Sequence, residues 1–337
     1  MKKILLFALA VLAGSALALD YQTALSLAAQ RPTVISAQLK LDDAEAQLRR
    51  TTADPLALRL DRLKAQQNRD LAAAELRQAR IHACAEISTA YSRLLDAEAQ
   101  LKLAERGLAL AERGLEITRL RLEKGGASEQ ELAAAEINLQ EAKDRLQSAS
   151  NGVELARSQL VSLLGVEAGT DSLEPTPTMA TPAWNDLLQA LETHPDWLKP
   201  HQAAELAATA HDLLDPSYAA PAQIENARVN MERAAKGAAE AERGLKIRAE
   251  MRWNEVTTKE QALELAGEKL QKARDDLAIA RKRFDAGLIS EFALQQVEMQ
   301  EAQAALAHLV AEHDLLASQW ALFEATSWLP PEVCDER

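Results

Sequence analysis

The residues best suited to metal binding or nucleophilic catalysis are six histidines and two cysteines, and their spacing supports neither chemistry. His82, His194, His201, His211, His308 and His313 form no HExxH pair, and Cys84 and Cys334 form no paired-cysteine motif. No glycine-rich loop follows a strand pattern, because no strand pattern is evident. The expectation is no catalytic residue, no metal site, no cofactor and hence no enzyme. His313 falls among Met299, Leu306, Leu309, Leu316 and Trp320 on one helical seam. It reads there as a partly exposed packing residue, the alternative being a pH-sensitive contact.

The more informative residues are two glycine-serine turns, Gly125-Gly126-Ala127-Ser128 and Gly287-Leu288-Ile289-Ser290. Glycine at a helix end admits the left-handed backbone of a tight reversal with little side-chain bulk, and serine caps the helix that follows. Ser128 with Glu131 fits a capping box. These turns demand long helices on both sides. Ile87, Leu94, Leu101, Leu108, Leu115 and Leu122 recur every seven residues, interleaved with Ala90, Ala97, Ala104, Ala111 and Thr118. Beyond the first turn, Leu132, Leu139, Leu146, Val153 and Leu160 alternate with Ala135, Ala142, Ala149, Ala156 and Leu163. Two such seams joined by a short turn fold back on each other, and the alanines let the backbones approach. The tripeptide Glu-Arg-Gly before Leu108, Leu115 and Leu245 carries a helix-interior glycine each time. Such glycine points either to close approach of a neighbouring helix or to remnants of heptad duplication.

The pattern occurs twice. At an offset of 162, Leu101, Leu108, Leu115 and Leu122 map to Leu263, Leu270, Leu277 and Phe284, and Gly125 and Ser128 map to Gly287 and Ser290. Tyr21, Leu25 and Pro32 map to Trp184, Leu188 and Pro195 at 163. After the turns the best offset reads as 160, through Gln140-Glu141-Ala142 and Gln300-Glu301-Ala302, so the second copy is expected to be two residues shorter there. Prolines are absent from 56–174 and from 222–329, as continuous helices require. In each copy one long helix should lie beside two shorter ones stacked end to end, residues 34–50 covering the overhang in the first. The fold class is all-α: elongated antiparallel coiled-coil hairpins in two internal repeats.

Composition and charge fit this reading. The 337 residues are 47% apolar but only 4% aromatic, with a formal charge of −13. An acidic chain whose basic residues are interspersed with acids excludes nucleic acid as a partner. Lys2 and Lys3, an apolar run over 4–12 and Ala16-Leu17-Ala18 form a secretory signal, and its removal makes the charge −15. No later segment is long and apolar enough for a membrane-spanning helix. The expected organisation is a signal over 1–18, a first repeat over 19–165, a proline-rich linker over 166–183, a second repeat over 184–329 and a tail over 330–337. Along the rod, Cys84 lies about 60 Å from the first tip, and the last helix climbs about 57 Å from the second. Cys84 and Cys334 are therefore a candidate disulfide in an exported chain, the alternative being a buried thiol and a separate tail thiol.

The duplication, the long helix beside two stacked ones, the Ala24-Leu25 to Pro32 opening, and turns reading Arg121-Leu-Glu-Lys-Gly125-Gly-Ala-Ser128 and Arg283-Phe-Asp-Ala-Gly287-Leu-Ile-Ser290 resemble the TolC-like outer-membrane factor family. The resemblance covers the mature chain. It implies a helical tunnel component of an efflux or type I-like secretion assembly, assembled as a homo-oligomer, a trimer in that family. It further implies an exported protein of the periplasm or envelope, associated with the outer membrane through partners. By the same resemblance, the tip residues Gly125, Gly126, Ser128, Gly287 and Ser290 would dock a periplasmic adaptor (membrane fusion) protein. One departure limits the likeness. Family members insert membrane β-strands where this chain has only Thr51-Thr-Ala-Asp-Pro55 and Asp215-Pro-Ser-Tyr-Ala-Ala-Pro221, too short for even one spanning hairpin. No barrel is therefore expected, and the alternative function is a structural coiled-coil protein of the envelope with no transport role. Within the chain, Leu103, Leu110 and Ile117 form a second apolar stripe on the long helix, read as a surface for another copy.

Overall fold

The computed structural model describes residues 19–165, 173–177 and 179–330. The expected signal over 1–18, most of the tail including Cys334, and part of the linker lie outside the described residues. A short helix α1 (Tyr21–Ser26) leads into α2 (Pro32–Ala53), then α3 (Arg59–Glu123) and α4 (Glu129–Leu164). The second repeat follows the same order with α5 (Trp184–Leu191), α6 (Pro195–Asp212), α7 (Pro221–Asp285) and α8 (Glu291–Thr326). Among the described residues the only β-type pairing is a single parallel bridge between Leu19 and Leu173.

The duplication is more regular than the sequence pattern suggests. Helices α3 and α7 both have 65 residues, and α4 and α8 both have 36. Equivalent turn bonds, Gly126 N–H to Arg121 O and Leu288 N–H to Arg283 O, stand 162 residues apart. The ion pairs Arg119–Glu136 and Arg281–Glu298 do the same. So do the left-handed residues closing α4 and α8, Gly165 and Ser327. The offset thus stays at 162 to the end of the repeat. The expected two-residue shortening is incorrect, because the Gln-Glu-Ala match at 160 is a coincidence of Ala- and Glu-rich sequence. Under the true register Val153 and Leu160 correspond to Leu315 and Leu322, all four buried.

In each hairpin the long helix pairs with the descending helix, α3 with α4 and α7 with α8, and α2 and α6 continue that layer upward. Arg31, at the start of α2, donates to the Leu163 carbonyl at 3.2 Å, which joins α2 end to end with α4. The two hairpins are joined by α8 packing on α3 and by α6 packing on its upper part. Gln67 and Gln202 exchange side-chain to backbone hydrogen bonds there, at 3.2 and 3.1 Å. The largest core cluster lies at this junction and contains Leu25, Ile81, Ile87, Tyr91, Leu94, Leu160, Trp320 and Phe323. Tyr21 donates to Ser88 Oγ at 2.7 Å and accepts from Trp320 Nε1 at 3.1 Å.

Tyr91 closes this junction. Its hydroxyl lies 2.7 Å from both the Leu19 and the Glu174 carbonyl oxygens, so one phenol ties the start of the described chain and the inter-repeat linker to α3. Burial, ahead of every other influence, pushes its ionisation well above the usual tyrosine range. Tyr91→Phe removes the one proton these carbonyls share, leaving Leu19 O with only the 3.4 Å bond from Glu174 N–H. A loss of about 1–3 kcal/mol in urea unfolding is expected.

Candidate docking surfaces at the tips and flanks

Both reversals are built alike. Gly125 and Gly287 have φ of 71° and 70°, a left-handed backbone that glycine alone adopts without strain. The nested bonds Gly126 N–H to Arg121 O (2.7 Å) and Gly125 N–H to Leu122 O (2.9 Å) satisfy the last carbonyls of α3. Leu288 to Arg283 and Gly287 to Phe284, both 2.8 Å, do so for α7. Ser128 Oγ accepts from Glu131 N–H at 3.2 Å while Glu131 accepts from Ser128 N–H at 2.7 Å, a complete capping box. Ser290 Oγ accepts from Ala293 N–H at 3.2 Å, and alanine there cannot return the bond.

The backbone N–H of Ser128, then its hydroxyl, holds the Glu131 carboxyl below its ordinary value. A lowered carboxylate stabilises the fold above its unfolded pKa, so this contribution is complete at neutral pH and disappears as acid titrates the group. Amide exchange in the first turn of α4 should quicken on acidification relative to its pH-corrected intrinsic rate, and Glu131→Gln should abolish that extra dependence.

The two tips lie side by side at one end of the rod. Phe292, second in α8, packs against the position of Gly114 on α3, where an added Cβ would lie 3.6 Å from its ring. Met299 likewise fills the space at Gly107, 3.2 Å from an added Cβ. Gly244 has open space around it. Close approach therefore bears on Gly107, where an added Cβ would press on the end of Met299, and not on Gly114, where 3.6 Å is ordinary contact, or on Gly244. The tips differ in polarity: Leu288 and Phe284 are exposed on the second, whereas Gly126 occupies the place of Leu288 on the first.

Two sequence-derived assignments are corrected. His313 is buried, not partly exposed, and its Nδ1 lies 2.6 Å from Asp96 Oδ1 on α3. The stripe of Leu103, Leu110 and Ile117 is half-buried beside α8 of the same chain, so it requires no second copy. Cys84 is fully buried in the core between Ile81 and Ile87. Its pairing with Cys334 is decided by thiol titration of the unreduced, unfolded chain.

The duplication exposes a surface that pattern reading missed. Ala85, Thr89, Leu103 and Ile117, on the side of α3 turned to α8, correspond at 162 to Ile247, Met251, Leu265 and Ile279 on α7. These four are 58, 66, 51 and 49% exposed. Met299 of α8 corresponds to Ile137 of α4, which is 60% exposed. Gln67 and Gln202, which meet in the upper junction, correspond to Val229 and, at 163, to Leu39, both exposed. One edge of the molecule, α7, thus carries the counterpart of the α3 surface. The other edge, α2 and α4, carries the counterpart of the α6 and α8 surface. The first edge ends where the second would begin.

Residues 57–166 match the family model for outer membrane efflux protein. The match spans α3 and α4. The fold of the two repeats is that of the TolC-like helical tunnel, without strands among the described residues. Vibrio cholerae VceC, an outer membrane protein, superposes with a TM-score of 0.65 at 17% identity, over 91% of this chain and 96% of that one. The Campylobacter jejuni CmeC outer membrane channel gives 0.64 at 14%, over 91% and 85%. The Neisseria gonorrhoeae MtrE outer membrane channel, in its open state, gives 0.61 at 15%, over 91% and 88%. No curated protein sequence matches this chain. The segments 51–55 and 215–221, where the resembled family inserts membrane strands, hold the end of α2, short turns and the first residue of α7. No helix among the described residues is long and apolar enough to cross a membrane.

Proposed function

We propose that this chain is the helical conduit component of an efflux or secretion assembly in the cell envelope. Several copies close a tunnel wall, α7 of one against α2 and α4 of the next, and the tips dock a periplasmic adaptor. The observation that carries the reading is the pair of unmatched edges. Each repeats chemically a surface that is covered inside the chain, and a head-to-tail contact of this kind closes into a ring when the rotation permits. Three copies is the number that the family resemblance supplies.

Cysteines at Leu39 and Val229 test the ring, because they occupy the places of the paired Gln202 and Gln67. In a Cys334→Ser background, oxidation should give a ladder of crosslinked multimers from the double variant and no such ladder from either single variant. Adaptor docking is better tested at Gly126 and Leu288 than at Gly125 and Gly287, where any side chain strains the reversal and confuses folding with binding. Gly126→Trp and Leu288→Ser should preserve helix content and abolish adaptor crosslinking and export. The short turns at 54–58 and 213–220 favour a second reading, a brace of the envelope with no transport role. Unchanged export in the tip variants would leave that reading standing.

A further inference from the structure

A cavity of about 740 Å³ lies inside one chain, where α4 and α8 flank the upper part of α3. Ala85, Thr89, Ala90 and Arg93 of α3 line it, with Ala317 and Ala321 on the α8 side. It opens on the side of α3 turned away from α1: Glu86, which also lines it, stands about 200° round the helix from Ser88, which meets Tyr21. The volume is within the range that receives a drug-sized organic molecule.

The duplication shows that this space is not a general feature of the fold. At an offset of 162, Ala85 and Thr89 correspond to Ile247 and Met251, and Ala90 corresponds to Arg252. The second repeat thus carries bulk at each position where the first carries a small side chain. Arg93 corresponds to Glu255, which pairs with Arg252 at 2.7 Å. With alanine at position 90, Arg93 has no such neighbour, and no hydrogen bond or ion pair engages it among the described residues. The groups at the other end of the cavity are engaged with one another. His82 Nδ1 lies 2.7 Å from Glu324 Oε1 and its Nε2 lies 3.5 Å from Glu86 Oε1, while Arg31 holds the second Glu86 oxygen at 3.4 Å. Two carboxylates and two guanidinium groups balance in number, so the cavity has no excess of either sign. What distinguishes Arg93 among them is the lack of a partner.

We propose that this cavity binds a rod-shaped organic acid, its carboxylate on Arg93 and its apolar body along Ala85, Ala90, Ala317 and Ala321. The guanidinium fork matches a carboxylate with two parallel hydrogen bonds. From Arg93 to the level of Glu86 is seven residues of helix, about 10 Å. A ligand of that length with a hydroxyl at its far end reaches the Glu86–His82–Glu324 group, whose carboxylate oxygens accept hydrogen bonds. An organic cation is disfavoured, because those carboxylates already have partners and Arg93 would face it unpaired. The site lies within one chain, so it rests neither on ring closure nor on adaptor docking.

Calorimetric titration of the purified full chain with 4′-hydroxybiphenyl-4-carboxylate, a rigid probe of this shape, tests the proposal. Saturable binding of one probe per chain is expected, with a Kd of about 0.1–1 mM from the usual efficiency of a ligand this size. Arg93→Gln should weaken it about tenfold or more. Ala85→Ile with Thr89→Met installs the second repeat's residues and should abolish binding by filling the space, at unchanged helix content. The amine of the same shape, 4′-hydroxybiphenyl-4-methylamine, should bind more weakly than the acid. A chain carrying Met251→Glu and Leu265→Glu on the α7 edge should bind like the parent, so loss of the ring and loss of this site are read separately. Absence of saturable binding by the parent, equal or tighter binding of the amine, or binding that persists undiminished in Arg93→Gln or in the filled cavity overturns the proposal.

Discussion

Met251→Glu with Leu265→Glu is expected to reduce the assembly to monomers while leaving each chain folded. Both side chains are more than half exposed in the single chain, so neither glutamate is buried until copies meet. In the ring each would be pressed into an apolar helix contact, and an unpaired carboxylate there costs several kcal/mol unless it neutralises. Leu103→Glu is the comparison. It makes the same chemical change at the position equivalent to Leu265 but beside α8 of its own chain, in a groove lined by Gly107 and Met299. It should lower the unfolding midpoint instead. Gly244→Leu attacks the edge from another direction. An added Cβ there meets nothing within 4 Å, so the helix should gain up to about 1 kcal/mol over glycine. Gly244 nevertheless corresponds at 162 to His82, which meets Glu324 of α8 at 2.7 Å. The extra bulk should therefore stabilise the monomer and hinder the ring. Sedimentation velocity with thermal unfolding on the same samples separates the cases, and multimers that persist in both edge variants would refute ring closure through α7.

What the sequence reveals here is whatever repeats locally. Heptads specified four long helices, and glycine followed by serine marked both reversals, because seam and turn chemistry act over a few residues. The placement of one hairpin on the other was not legible. Nothing near His313 announces Asp96, which is 217 residues away, and the stripe at Leu103 looks the same whether α8 or another chain covers it. The Tyr91 contacts were hidden for the same reason, since its partners are backbone carbonyls that carry no side-chain signature. The edges could have been found from sequence by carrying the offset of 162 through every apolar position. The spurious match at 160 blocked that step beyond the turns, where α4 and α8 must be compared.

The junction between hairpins and the proposed contact between copies would use equivalent positions with different residues, and that difference predicts their relative strength. Trp320 is 1% exposed, donates to Tyr21 and stacks edge-on with Phe323 at 5.7 Å. Its counterpart at 162 is Ser158, which is exposed on α4. Leu39 and Val229 invert the choice, being apolar where the internal junction has Gln202 and Gln67. The internal junction thus gathers buried aromatics, Tyr21, Tyr91, Trp320 and Phe323, into one cluster and adds specific polar bonds. The edges instead spread modest aliphatic contacts along the rod, which suits a surface that must stay in water until a partner arrives. Trp320→Ala should cost about 3–5 kcal/mol, the usual range for emptying a buried tryptophan site. Because Trp320 joins α8 to α1 and α3, the loss should fall on the cohesion of the two repeats. Unfolding in urea should split into two steps, with amide exchange near Leu94 and Leu322 no longer sharing one opening energy. Ser158→Ala should change stability by less than about 0.5 kcal/mol. A Trp320→Ala chain that still unfolds in one step with near-parent stability would mean that the hairpins are held together elsewhere, through α6 on α3 and the Tyr91 contacts.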